Sequence, residues 1–363
     1  MQVKTPALVI IALVCDLFIC YGQKDTTHKQ YHHVLFLPVI ARSIETNWSF
    51  GAVGSYTFRI KREDTSSRTS NLQGLGLYSL KKQIILALNG TIYFPGEKYI
   101  LSHQFSYSYF PDKFWGIGKY ARGRDEEPYS FRQFYIYLHA QESLGHHLYL
   151  GALYEYQQLI DINYVQGGLF DKENVAGRRK YHVSGLGLSF TYDTRNNAFS
   201  PDKGDMLQFS FNHFDNFFGS DYRYTNYLLD MRKYIALHKG QVLALQAYGY
   251  FNAGEVPLRS LASLGGASRM RGYYNGRYRD KNLAVIQAEY RVPLFWRLGA
   301  AVFAGIGDVG KTIADFGLDF PKYSFGGGFR VALNKTEKLN LRLDYGIGRG
   351  HSNGFYFQLG EAF

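Results

Sequence analysis

Cysteine is nearly absent from this sequence. Its two examples, Cys15 and Cys20, both fall within the first 22 residues. Once that stretch is removed, the remainder carries no thiol, which excludes a disulfide framework, a Cys-ligated metal and a cysteine nucleophile. Long apolar runs are also missing. Beyond residue 22 there is no stretch of 18 apolar residues, so a membrane-spanning helix is not expected there. No apolar stripe at a period of 3.6 persists either, which argues against a helical protein. Tryptophan is scarce, 3 against 31 Tyr and 28 Phe. The charge is one-sided, +11 overall, but the basic residues are spread along the chain rather than gathered on one helix. That spread speaks against nucleic acid and for anionic lipid head groups, including lipopolysaccharide, as partners.

The beginning reads as a secretory signal. Lys4 supplies the positive start, residues 7–19 the apolar core, and Cys20 and Gly22 the small residues before a cut. Asp16 interrupts the core, which speaks against a retained membrane helix. The bulky Ile19 before Cys20 speaks against a lipoprotein. The predicted organisation is a signal peptide at 1–22, a short periplasmic tail at 23–31, and one domain at 32–363. The tail is too short for any folded unit.

What is present throughout that domain is alternation at period two. Leu101, His103, Phe105, Tyr107 and Tyr109 interleave with Ser102, Gln104, Ser106 and Ser108, so one face of such a strand is greasy and the other wet. Leu186, Leu188, Phe190 and Tyr192 repeat the pattern, as do Leu207, Phe209 and Phe211. Near the end, Leu339, Leu341, Leu343 and Tyr345 oppose Asn340, Arg342 and Asp344. Phe355, Phe357, Leu359 and Phe363 then line the expected outer face of the last strand, with Glu361 as its one break.

Sixteen segments long enough to cross a bilayer as tilted strands lie between His33 and Phe363. An even count closes a barrel. Connections alternate in length. Those at 95–98, 238–240 and 334–338 are short, whereas those at 114–128, 165–181, 254–282 and 311–322 are long. Two on the short side, 61–70 and 195–203, are longer than usual. The sequence thus predicts an all-β fold, a sixteen-stranded antiparallel transmembrane β-barrel with its long loops extracellular. Residence in the outer membrane of a Gram-negative bacterium follows from that reading.

A lumen of that width holds water unless something fills it. The longest connection, 254–282, is the candidate plug, because its centre, residues 268–280, interleaves four arginines with tyrosines and glycines. Alternation supplies partners. If Ala284, Ile286, Ala288 and Tyr290 face lipid, then Gln287, Glu289 and Arg291 face the lumen. If Phe303 faces lipid, then Ala304, Ile306 and Asp308 point inward. Glu289 and Asp308 are therefore the expected acidic partners, with Gln287 and Arg291 in support. A guanidinium fork suits two carboxylates better than an ammonium does.

Met270-Arg271-Gly272-Tyr273, then Gln287-Ala288-Glu289-Tyr290-Arg291, then Gly307-Asp308-Val309-Gly310 resemble, in that order, motifs of the BamA/TamA family of bacterial surface antigens. Pro38, Glu45 to Trp48 and the turn at 192–204 are similar to it as well. The resemblance spans most of the domain. It implies a sixteen-stranded barrel whose sixth outer loop folds into the lumen, with Arg271 meeting Glu289 and Asp308. It also implies that Phe355, Phe357, Leu359 and Phe363 form an insertion signal at a seam between the first and last strands. Members that assemble or secrete proteins carry POTRA domains, and this sequence shows none. The expected role is insertion of outer-membrane proteins or lipids, acting on client proteins or with a separate periplasmic partner. The alternative is a gated or passive pore plugged by the Arg271 loop.

No enzyme is expected. His351 and Ser352 lack a carboxylate to orient the histidine, and adjacent strand residues point apart. The pairs His32-His33 and His146-His147 fail for the same reason to converge on one metal ion. No cofactor is expected, and Arg178-Arg179-Lys180 reads as an outer surface facing lipopolysaccharide.

Overall fold

A computed structural model describes residues 32–363, apart from 62, 65, 318, 319, 336 and 337. The expected signal peptide and tail lie outside the described residues. Sixteen antiparallel strands form one sheet: β1 (His32–Ser43), β2 (Asn47–Phe58), β3 (Ser70–Ser79), β4 (Ile84–Tyr93), β5 (Tyr99–Phe114), β6 (Glu127–Gly145), β7 (Leu148–Tyr164), β8 (Tyr181–Asp193), β9 (Gly204–Phe214), β10 (Tyr224–Ala236), β11 (Val242–Gly254), β14 (Asn282–Phe295), β15 (Leu298–Gly310), β16 (Lys322–Asn334), β17 (Leu339–Gly348) and β18 (Asn353–Leu359). Two short strands, β12 (Ala262–Leu264) and β13 (Tyr278–Asp280), pair with each other inside the connection from β11 to β14. A single helical turn, α1 (Leu169–Lys172), lies in the β7–β8 connection.

Each barrel strand pairs with its neighbours in sequence, which is what short hairpins and long loops at opposite rims allow. The predicted sixteen-stranded architecture is the one observed. Its outward face is apolar: Val34, Phe36, Ile286 and Val302 are 59–72% exposed. A soluble protein does not leave such a belt in water, and a barrel in lipid does.

Two of the expected orientations are corrected. On β15, Phe303 is buried inside, while Val302, Ala304 and Ile306 face out. The register decides this, because Glu289 lies directly opposite Phe303 and cross-strand partners share a face. Phe363 is corrected as well. Phe355, Phe357 and Leu359 lie on the outer side of β18, but the strand ends at Leu359 and Gly360 adopts φ +81°. That left-handed residue turns the chain inward. Phe363 then packs against Tyr234, Val242 and Ala244, and the Glu361 side chain turns inside to meet Arg330.

Among the described residues, no strand pairing closes the sheet. β1 has twelve residues and β18 seven, and they stand at the two ends of the strand order. Among the described residues, no backbone ladder joins them.

Candidate functional site: a buried charge network under the β11–β14 connection

The β12–β13 pairing turns the connection into a hairpin whose tip, residues 265–277, carries the Met270-Arg271-Gly272-Tyr273 motif. Four glycines at the tip have positive φ, among them Gly265 at +116° and Gly272 at +109°. A Cβ on Gly272 would come within 2.7 Å of the Ile347 carbonyl carbon, so the motif's backbone lies flush against β17. Gly346 and Gly348 of β17 make the matching bed. A Cβ on Gly346 would strike the Arg271 carbonyl carbon at 2.6 Å, and one on Gly348 the Tyr273 ring at 2.7 Å.

Hydrogen bonds pin the motif there. The Gly272 N–H donates to the Tyr356 hydroxyl (2.9 Å), which donates onward to the Tyr273 carbonyl (3.1 Å). Ser352 Oγ donates to the Gly272 carbonyl (2.6 Å), the Tyr273 hydroxyl to the Tyr323 carbonyl (2.8 Å), and the Arg349 N–H to the Tyr273 hydroxyl (2.8 Å). Met270 is fully buried, its sulfur 3.9 Å from Ser324 Oγ.

Arg271 is 1% exposed and makes three charge contacts. Its Nη2 lies 2.7 Å from Glu289 Oε2, its Nη1 donates to Asp344, and its guanidinium carbon sits 3.5 Å from the centre of the Phe303 ring. Desolvated carboxylates and an aromatic face are where a guanidinium interacts most strongly. Arg291 donates to Glu289 (2.7 Å) and to the Phe363 carbonyl (3.1 Å), and Arg330 meets Glu289 (3.2 Å), Asp344 (2.5 Å) and Glu361 (2.7 Å). Arg342 adds a fourth guanidinium, 3.5 Å from Asp344. Gln287 bridges to Gln246 (2.7 Å) and to the Ser268 carbonyl (2.9 Å) of the tip.

The second acceptor for Arg271 is therefore Asp344, not Asp308. Asp308 lies five residues beyond Phe303, about 16 Å along β15, and pairs with Lys322 at 2.7 Å instead. Asp344 reaches Arg271 across β16 because that strand runs Gly326-Gly327-Gly328. A Cβ on Gly328 would lie 2.2 Å from Asp344 Oδ1, and one on Gly326 2.6 Å from the Phe303 ring. Glycine inside a strand signals such a close approach, and this run is the sequence feature that marks Asp344.

A second anchor went unread in the sequence. Asp112, on β5, accepts from the hydroxyls of Tyr129 (2.7 Å) and Tyr274 (2.8 Å) and pairs with Arg259 (3.2 Å). The Asn275 N–H donates to Glu45 (2.9 Å) in the β1–β2 turn, where burial pushes that carboxyl above its ordinary range. The connection thus touches β5 and the β1–β2 turn as well as β14 through β18. It fastens both ends of the unclosed sheet to one hairpin.

A family model described as the Omp85 superfamily domain matches residues 92–363. Among solved structures, BamA from Haemophilus ducreyi lacking POTRA domains 1-3 superposes with a TM-score of 0.56 at 15% identity, covering 92% of this chain and 70% of that one. CdiB from Acinetobacter baumannii gives 0.61 at 12% identity, with 91% and 60% covered, and CdiB from Escherichia coli gives 0.59 at 10%, with 92% and 63% covered. The chain thus spans about three fifths of either CdiB. At these identities the likeness is one of fold. No protein of curated function matches the sequence.

Proposed function

Because the chain belongs to the Omp85 superfamily, as the match over residues 92–363 shows, we propose that it is an outer-membrane barrel that helps insert proteins or lipids into that membrane. The seam between β1 and β18 is its working surface. One observation carries this reading: the two strands meet without a ladder. Unpaired backbone N–H and C=O groups at a sheet edge are a template for another strand, and in lipid they are costly to leave unmet. Pro38 removes a donor from β1 in the same place. Outer-membrane lipids, lipopolysaccharide and client chains are the proposed partners, with a separate periplasmic protein as a further one.

A disulfide across the seam tests it. A Cβ built on Gly354 lies 2.5 Å from Ile44 Cγ2, so cysteines at both positions would have Cβ atoms at most about 4 Å apart, within disulfide range. The Ile44→Cys/Gly354→Cys protein should fail to sustain normal outer-membrane protein and lipid content when oxidised and recover when reduced. Unchanged content with the seam fully oxidised refutes the reading.

A second reading is a pore, which the buried charge network favours: lifting the hairpin would leave a water-filled, charged interior. Planar-bilayer recording of wild type and Arg271→Ala decides it, and the pore reading fails if neither conducts.

A further inference from the structure

The interior holds a second cluster that the hairpin network does not use. The carboxylates of Asp112, Asp193, Asp230, Glu289, Asp344 and Glu361 each have a guanidinium within 4.0 Å. Glu155, on β7, is an inward carboxylate with no Lys, Arg or His at that distance among the described residues. Its neighbours are neutral. Asn212 on β9 donates an amide N–H to it at 3.2 Å, Tyr137 lies directly opposite it in the β6–β7 register, and Tyr135 stands on the same face of β6 two residues before Tyr137. Tyr250 on β11 faces the same interior, packed beside Tyr248. Gly185 is its partner on the other side, so no side chain covers it from β8. Glu155, Tyr135, Tyr137 and Tyr250 are all only partly buried, leaving the cluster open to the interior.

A carboxylate framed by tyrosine rings is the arrangement that recognises ammonium and guanidinium groups, whose charge meets the carboxylate and whose flat or alkyl face meets the rings. The same wall already holds one such group. The Arg269 guanidinium sits 4.2 Å above the Tyr248 ring, two residues along β11 from Tyr250, and has no carboxylate partner of its own among the described residues. We propose that Glu155 with Tyr135, Tyr137 and Tyr250 forms an interior binding site for an organic cation bearing a guanidinium or ammonium group. The proposal does not rest on the seam reading.

Saturation-transfer NMR on the purified full-length barrel, with agmatine as the probe at constant ionic strength, tests it. Wild type should transfer saturation to agmatine. Glu155→Gln, which preserves the bond to Asn212, should weaken binding about tenfold or more through loss of the charge-assisted contact, and Tyr137→Leu should weaken it while leaving the carboxylate. Arg269→Ala should leave binding intact or strengthen it. Adding the peptide Gly-Arg-Gly as competitor separates the sources: displacement shows that the site admits a polypeptide side chain, and its absence shows a site for small amines. Binding unchanged in Glu155→Gln, or equal displacement by potassium, overturns the proposal. Heat-modifiable migration on gels confirms that each variant is folded. If Glu155→Gln does not fold, loss of agmatine binding in folded Tyr137→Leu still supports the site, and its retention overturns it.

Discussion

The charge balance of the buried network predicts an unequal outcome for its two central residues. Four guanidiniums (Arg271, Arg291, Arg330 and Arg342) share three carboxylates (Glu289, Asp344 and Glu361). Replacing Arg271 by Met keeps most of its volume and leaves three of each sign. Glu289 retains Arg291 at 2.7 Å and Asp344 retains Arg330 at 2.5 Å. The loss is then that of a few charged contacts whose gain was already offset by desolvation, about 1–2 kcal/mol net. Replacing Glu289 by Gln leaves four buried guanidiniums facing two carboxylates, and an uncompensated buried charge costs about 3–5 kcal/mol. The double variant has three against two, so adding Arg271→Met to Glu289→Gln should recover part of the loss. Urea unfolding in lipid vesicles, followed by tryptophan fluorescence at unchanged slope, measures all three. The reasoning is refuted if Arg271→Met costs as much as Glu289→Gln, or if the double variant is less stable than Glu289→Gln alone.

Gly272→Ala should lift the hairpin tip, since φ +109° and a Cβ 2.7 Å from backbone leave no room. Trypsin should then cut after Arg271 or Arg277, which wild type resists, and equal resistance would contradict the seating described. At the opposite rim, the Ser66 and Ser67 side chains and the Gly96 N–H (3.0 Å) hold the Asp64 carboxyl well below its ordinary 3.8. A depressed carboxyl contributes stability that is full above 3.8 and lost as pH falls through the folded value. Amide-exchange protection of Ser66, Ser67 and Gly96, corrected for intrinsic rates, should therefore fall below about pH 3.8 in wild type and be absent at all pH in Asp64→Ala. Protection that ignores pH would exclude this role.

Most of the fold was legible because a barrel writes its two environments into every strand. Tyr, Phe and Leu alternating with Ser, Gln and Asn settle which face meets lipid without knowledge of the neighbours. β15 escaped this logic. Its run Leu298 to Gly310 sets glycine and alanine on both faces, so no face is marked, and only the opposition of Glu289 and Phe303 decides. Asp344 was correctly turned inward by alternation, yet its meeting with Arg271 depends on two residues 73 apart in sequence, a distance no local pattern encodes. Phe363 continues the apolar period of β18 in sequence but not in space, because one glycine at 360 changes the chain's direction. The roles of Asp112 and Glu45 as anchors were hidden for a plainer reason, although Glu45 belongs to the family resemblance: nothing beside either residue hints at the hairpin it meets.

The glycine run of β16 ties the history of one strand to another. Gly328 and Asp344 occupy what would otherwise be overlapping volume, as do Gly326 and the Phe303 ring. A Cβ at 328 would strike the Leu343 carbonyl oxygen as hard as the Asp344 carboxylate, each at 2.2 Å, and giving up that carboxylate alone leaves the arginines in excess. No single substitution leads from this interior to an ordinary apolar one. The bare strand is held bare twice over, by the backbone of β17 as well as by the side chains packed against it.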